Sequence, residues 1–282
     1  MIDPASSSVE PPPVLAPIPA PRAAVVRWRW WIHLVLIGAY PVLMAALSFG
    51  RAGTTGPALS RTSRGLLLVS GTELVLFAVV FLLGWLASRA SREELLLRWR
   101  PGWWVVPLGL GYSVAIRLAV GLVVAAVSAV FLLTHLATAE SLQRFMLANR
   151  PEVESLVDVG VMRTDPLYYW LTITLVSFVV AGLREELWRA GFLAALRALW
   201  PGAFACRRGQ MGAVVIIAVV FGAAHLGQGA LAAGMAGLLG VMLGGMMVFH
   251  QSVWPAVIAH GMFDATSMAL LPWALEKIQQ AL

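Results

Sequence analysis

Residues 167–200 read LYYWLTITLVSFVVAGLREELWRAGFLAALRALW, an apolar run interrupted by Arg184, Glu185, Glu186 and Arg189. A helix needs about 20 predominantly apolar residues to cross a bilayer, so this run is long enough to be a membrane span. Ionised groups inside a span are costly unless they are paired or beside water, and they usually mark function. One stretch therefore sets both the fold class and the place to look for chemistry.

The whole chain has the same character. Of its 282 residues, 60% are apolar and 12% charged, a composition that excludes a water-soluble core and predicts an all-α, polytopic transmembrane bundle. Seven spans fit best, within a range of six to eight. The net charge of +6 is nearly all arginine. Those arginines are scattered at helix ends, which suits lipid headgroups and topology rather than nucleic acid. A single cysteine, Cys206, excludes an internal disulfide.

Residues 1–25 carry seven prolines with serines and alanines and are expected to form a disordered leader without the features of a signal peptide. Residues 26–165 form an N-terminal transmembrane region: spans from the Arg27 to Trp31 interface to Phe49, from Gly65 to Ala87 and from Trp103 to Leu133, then a polar connection, 137–165, with a short surface helix. Residues 166–275 form a second transmembrane region, with spans at Leu167–Trp200, Met211–Leu226, Ala230–Phe249 and Val253–Trp273. Gly240-x-x-x-Gly244 permits close helix approach.

Basic residues fall in three groups: Arg22, Arg27 and Arg29; Arg89, Arg92, Arg98 and Arg100; and Arg197, Arg207 and Arg208. These are expected not to share one side of a seven-span chain unless the long third stretch or the fourth is miscounted. The first group alone favours a cytoplasmic amino terminus, which puts the carboxyl terminus outside.

Three polar constellations stand out in the second region. Glu185 and Glu186 are about 100° apart on a helix, so they cannot face one point equally. Arg189, at i+4 and i+3, is within reach of either; the bland alternative is an interfacial turn between two elements. His225 follows Phe221 by one turn, and a lone membrane histidine is often only a packing residue. His260 and Asp264, at i and i+4, share one face, where the carboxylate can orient the ring, share a metal or act around a reacting carbonyl; the bland alternative is a pair that bonds helices together. With straight spans Glu185 and His225 fall at opposite depths. A later start to the fourth helix, an earlier start to the fifth or a broken helix would reconcile them. Elsewhere, Glu73 and Arg117 are expected to pair across spans, while interfacial hydration accounts for His33, His135 and His250. Most tryptophans are belt anchors.

Glu-Glu followed by Arg, then Phe-x-x-x-His, then His-x-x-x-Asp, on successive apolar segments, resembles the CPBP family of intramembrane proteases. That family includes CAAX prenyl endopeptidases and bacterial relatives linked to bacteriocin processing and immunity. The resemblance covers about Leu167 to Leu271. Family members have Glu-Glu-x-x-x-Arg, whereas here Arg189 comes one residue early and Ala190 stands at the arginine position. That shift is expected to move the arginine from the second glutamate's face to the first's. A literal match, Glu93 to Arg98, lies in a basic segment expected to be an interfacial amphipathic helix.

The resemblance implies peptide-bond hydrolysis in a membrane cavity. Catalysis would fall to Glu185, Glu186, His225, His260 and Asp264, with Arg189 and Phe221 in support. A glutamate aided by His225 would activate water, and His260 with Asp264 would stabilise the oxyanion or complete a metal site. Glu186, His225 and His260 could hold one divalent ion, zinc by preference, or the same groups could work without it; no His-Glu-x-x-His zinc helix occurs. Implied partners are membrane lipid and a membrane-associated peptide or protein, CAAX-like or bacteriocin-like, in a bacterial plasma membrane. The rival readings are a non-catalytic scaffold or immunity protein of the same family, and a proton-coupled transporter using the same groups as a relay.

Overall fold

A computed structural model describes residues 27–49, 59–149 and 156–281; the leader and Arg22 lie outside them. The described residues are helical, with no strand among them: α1 (Arg27–Phe49), α2 (Ser63–Ser88), α3 (Val105–Leu133), α4 (Ala139–Ala148), α5 (Val159–Thr164), α6 (Pro166–Leu199), α7 (Arg207–Ala224), α8 (Ala230–His250) and α9 (Trp254–Ala281). Among the described residues, 5 helical stretches are long and apolar enough to cross a membrane: α2, α3 with the turn before it, α6, α7 and α8. The two other long helices, α1 and α9, pack alongside them.

Local chemistry sets the helix starts. Thr62 caps α2 by accepting from the Gly65 N–H, Thr138 and Ser141 form a capping box on α4, and Asp158 caps α5. Asp165 caps α6 just before Pro166, a residue suited to the first helical turn. The Asp165 carboxylate also accepts a hydrogen bond from Ser63 on α2. This bond holds its pKa below the ordinary aspartate value.

Helix ends are tied together at both faces of the bundle. At one face Arg27 donates to the Leu199 carbonyl at 3.2 Å, Ser252 to the Arg98 carbonyl at 2.8 Å, and Arg207 to the Phe249 carbonyl at 3.0 Å. At the other, Leu59 N–H donates to Leu156 at 3.1 Å and Arg163 reaches the Pro272 carbonyl. These ties overturn the expectation about charge. The described members of all three arginine groups lie toward the first face, because the start of α1, the α2–α3 connection and the α6–α7 connection are alternate ends of a serpentine and share a side.

The Glu93–Arg98 segment is a run of turns, not an amphipathic helix. Glu94 caps it by accepting from the Ser91 N–H at 2.7 Å, Glu93 pairs with Arg98, and Leu95 and Leu96 are buried. The main core draws on both halves of the chain, packing Ile37, Tyr40, Phe77 and Ile116 with Trp188, Leu193, Phe221, Leu243 and Val257. Small residues bring helices together within it. A Cβ on Gly244 would lie 2.6 Å from Val214, as the Gly240/Gly244 pattern predicts, and one on Gly261 would lie 2.3 Å from Phe178.

Helix α6 is continuous through the glutamates, so no interfacial turn divides it. Its middle, Thr172–Leu183, is wound as a π-helix, and the Arg184 N–H reaches back five residues to the Val179 carbonyl. Regular α-helix resumes at Arg184, so the change of winding falls where the polar residues begin. Helix α7 starts at Arg207 rather than Met211, and the expected depth conflict does not arise. At 1.5 Å per residue, Glu185 lies about 21 Å along α6 from Leu199, and His225 about 27 Å along α7 from Arg207. The two helices run antiparallel from a short connection, so both residues reach similar depth.

Candidate active site

Helix α6 supplies Glu185, Glu186 and Arg189, and α9 supplies His260 and Asp264; the two helices meet along the π segment. Glu186 is fully buried, with 0% exposure. Its Oε1 accepts from His260 Nδ1 at 2.8 Å and from the Arg189 guanidinium. Arg189, 2% exposed, also lies over the Phe221 ring, 3.9 Å from its centroid, so Phe221 walls the charge on its far side.

This corrects the expected role of the displaced arginine. Arg189 bonds the second glutamate, since i+3 keeps it on that face, and stands 4.0 Å from Glu185. Glu185 takes Arg184 instead, at 3.2 Å.

Glu185 occupies the other side of the cluster and keeps 19% of its side chain exposed. Its Oε2 stands 3.9 Å from His260 Nε2, and Asp264 Oδ2 stands 3.5 Å from the same nitrogen. Both separations exceed a direct hydrogen bond and suit a bridging water or substrate atom. With Nδ1 committed to Glu186, the His260 ring directs Nε2 at this space, an orientation set by its carboxylate neighbours.

His225 sits just past the end of α7. Its Nδ1 donates to the Phe221 carbonyl at 2.8 Å and its ring packs on Phe221, centroids 4.5 Å apart. That bond fixes Nδ1 as the protonated nitrogen of the neutral ring and leaves Nε2 free. Among the described residues His225 makes no hydrogen bond or ion pair with a carboxylate. The structure thus joins Glu185, Glu186, Arg189, His260 and Asp264 in one network and attaches His225 to it through Phe221.

The trio Glu186, His225 and His260 does not fit a metal in this arrangement. Among the described residues no group of three or more His, Cys, Asp or Glu side chains is placed to hold an ion. Glu186 Oε1 already accepts from a guanidinium and an imidazole, and the carboxylate's remaining oxygen, Oε2, is buried without a hydrogen-bond partner.

Two expectations beyond the cluster are corrected. Glu73 pairs with Arg184 at 2.8 Å, not with Arg117. Arg117 is satisfied by Ser113 on its own helix and by Phe263 and Thr266 on α9. His33 is fully buried rather than interfacial; it joins the Gly84 carbonyl (2.9 Å) and Ser88 hydroxyl (3.0 Å) of α2 to the Gly191 carbonyl of α6 (3.1 Å). His250 likewise bonds the Tyr112 hydroxyl, at 2.7 Å. Sequence reasoning missed Arg184 as a functional partner, although its charge and that of Glu73 are opposite and both fall inside apolar runs.

Residues 166–266 match the family of Rce1-like proteins, type II CAAX prenyl endopeptidases. The match takes in all five clustered polar residues together with Phe221 and His225. No curated protein and no solved structure matches the chain.

Proposed function

We propose that this chain is an intramembrane endopeptidase in which Glu185 is the general base. Glu185 takes a proton from water, the resulting hydroxide attacks the carbonyl carbon of a substrate peptide bond, and the oxyanion is met by the Nε2–H of His260, held as the doubly protonated imidazolium between Glu186 and Asp264. Asp264 orients that ring from the next turn of α9. The proton on Glu185 then passes to the departing amine as the carbon–nitrogen bond breaks. His225, with Nε2 free, holds the attacking water.

The observation that carries this reading is the asymmetry of the glutamate pair. Glu186 is sealed, with Oε1 bonded to Arg189 and His260 and Oε2 buried without a partner, whereas Glu185 keeps an oxygen directed at a gap of 3.9 Å to His260. No step passes through a metal, because the donors do not form an open ligand set.

The family name points to membrane-associated, CAAX-type prenylated substrates; a bacteriocin-type precursor is the other substrate class the resemblance allows. A cytoplasmic amino terminus is the orientation that the three arginine groups favour under the positive-inside rule.

The test compares new protein amino termini, by mass spectrometry, in membranes carrying wild type or Glu185→Gln at matched expression. Products present with wild type and absent with the variant are expected and would identify the substrate. Identical sets of termini would remove the protease reading in favour of a scaffold.

A further inference from the structure

We infer that Glu73, on α2 and outside the family-matched segment, is a positioning residue for Glu185 that acts through Arg184. The inference rests on the proposed role of Glu185. Arg184 divides its guanidinium between two carboxylates: Nη1 donates to Glu73 Oε2 at 2.8 Å and Nη2 to Glu185 Oε1 at 3.2 Å. Nη1 also reaches the Tyr40 hydroxyl at 3.3 Å. All three charged side chains are mostly shielded, Glu73 being 20% exposed, Arg184 14% and Glu185 19%.

The division matters because a guanidinium closes on a carboxylate as a two-pronged fork whenever both of its nitrogens are free to do so. Here Glu73 and Tyr40 hold Nη1 and with it the orientation of the guanidinium, so that Nε stands unpartnered rather than turned onto Glu185. Only one oxygen of Glu185 is bonded as a result, and Oε2 is left facing His260. Without Glu73, both prongs can turn onto Glu185 and withdraw the oxygen that must accept the proton. Two spans that otherwise share no motif with the active site thereby set the direction of the base: Glu73 directly, and Tyr40 of α1 by holding the same nitrogen.

Three proteins test this in proteoliposomes: wild type, Glu73→Leu, and Glu73→Leu combined with Arg184→Lys. Lysine is a point charge and cannot form the fork. Glu73→Leu is expected to lower kcat at least tenfold with KM within about twofold, because a displaced catalytic group costs rate rather than binding. The double variant is expected to recover most of that loss, which no purely structural role of Glu73 would give. An unchanged kcat in Glu73→Leu, or no recovery in the double variant, would overturn the inference.

A second readout needs no substrate. Modification of Glu185 by dicyclohexylcarbodiimide, followed by peptide mass spectrometry, should fall in Glu73→Leu and return in the double variant, since a clamped carboxyl is shielded from the reagent. Equal labelling in all three would overturn the inference even if cleavage is seen. Labelling that shifts as expected in a protein that cleaves nothing would retain it and remove the protease reading. Glu73→Gln, which keeps shape but not charge, replaces the leucine variant if that does not fold, with the same direction expected and equal labelling again overturning the inference.

Discussion

His260 Nδ1 donates to Glu186 Oε1 at 2.8 Å, joining helices α9 and α6 across 74 positions of sequence. The bond gives adjacent glutamates different tasks. Glu186 anchors the histidine and the arginine, and Glu185 is left to face the reaction space. Substituting each should separate the tasks.

Glu186→Gln leaves Arg189 buried beside a neutral amide and takes the anionic acceptor from His260. Breaking a buried pair by removing one partner costs about 3 to 5 kcal/mol, so the detergent melting temperature should drop sharply. Glu185→Gln should melt near wild type and lose about 100-fold to 10,000-fold in kcat, the range for loss of a general base. Equal melting losses in both variants would refute the division of labour.

Activity should survive chelation. A divalent ion bound by Glu186 would sit beside the Arg189 guanidinium, where like charges in a poorly screened interior repel strongly. After dialysis against EDTA and then 1,10-phenanthroline, cleavage of the identified substrate should stay within about twofold of the untreated rate. A tenfold loss restored by zinc would show that the site rearranges to take a metal.

The spans were largely legible because membrane helices announce themselves as apolar runs, and the bounds of α2, α3 and α8 fall within a few residues of those runs. The site was legible as a set of residues, since each is a polar group in an apolar context. Its wiring was less so. The start of α7 was hidden because Arg207, Arg208 and Gln210 are polar yet helical. The burial of His33 was hidden because two of its three partners, at Gly84 and Gly191, are backbone carbonyls and leave no side-chain pattern. Glu73 was matched to the wrong arginine because charge complementarity alone cannot choose between Arg117 and Arg184.

Gly222 tests how closely α7 must approach α8. A Cβ there would lie 2.7 Å from the Ala233 carbonyl oxygen and 3.2 Å from the Gly237 Cα, both backbone atoms that cannot turn aside. Gly222→Ala should separate the helices at a cost of about 1 to 3 kcal/mol. His225 lies three residues on, and its N–H donates to the Gly222 carbonyl at 2.9 Å, so kcat should fall as well. Gly212→Ala, where a Cβ meets nothing within 4 Å, is the control and should match wild type in both measurements.

Asp165 should make the bundle acid-sensitive. The hydrogen bond from Ser63 and those from the Leu167 and Tyr168 N–H groups hold its folded pKa below the unfolded value, so the unfolded chain binds the proton more readily. The stabilisation is present above the unfolded aspartate value, about 3.9, and is lost as pH falls through the lower folded value. Melting temperature measured from pH 6 down to pH 3 should therefore decline less in Asp165→Asn than in wild type, from a lower starting point. Parallel curves would mean that the Ser63 bond contributes nothing to acid stability.

Moving the arginine to its family position should not improve the enzyme. Ala190 is 0% exposed and belongs to the main core with Leu193 and Trp188. It lies about 100° around α6 from Arg189, so an arginine there would bury an unpaired charge in apolar packing while Glu186 lost its partner. Arg189→Ala combined with Ala190→Arg should therefore be less stable than Arg189→Ala alone and no more active. Recovery of activity in the double variant would show that the register of α6 can slip by one residue at the π segment.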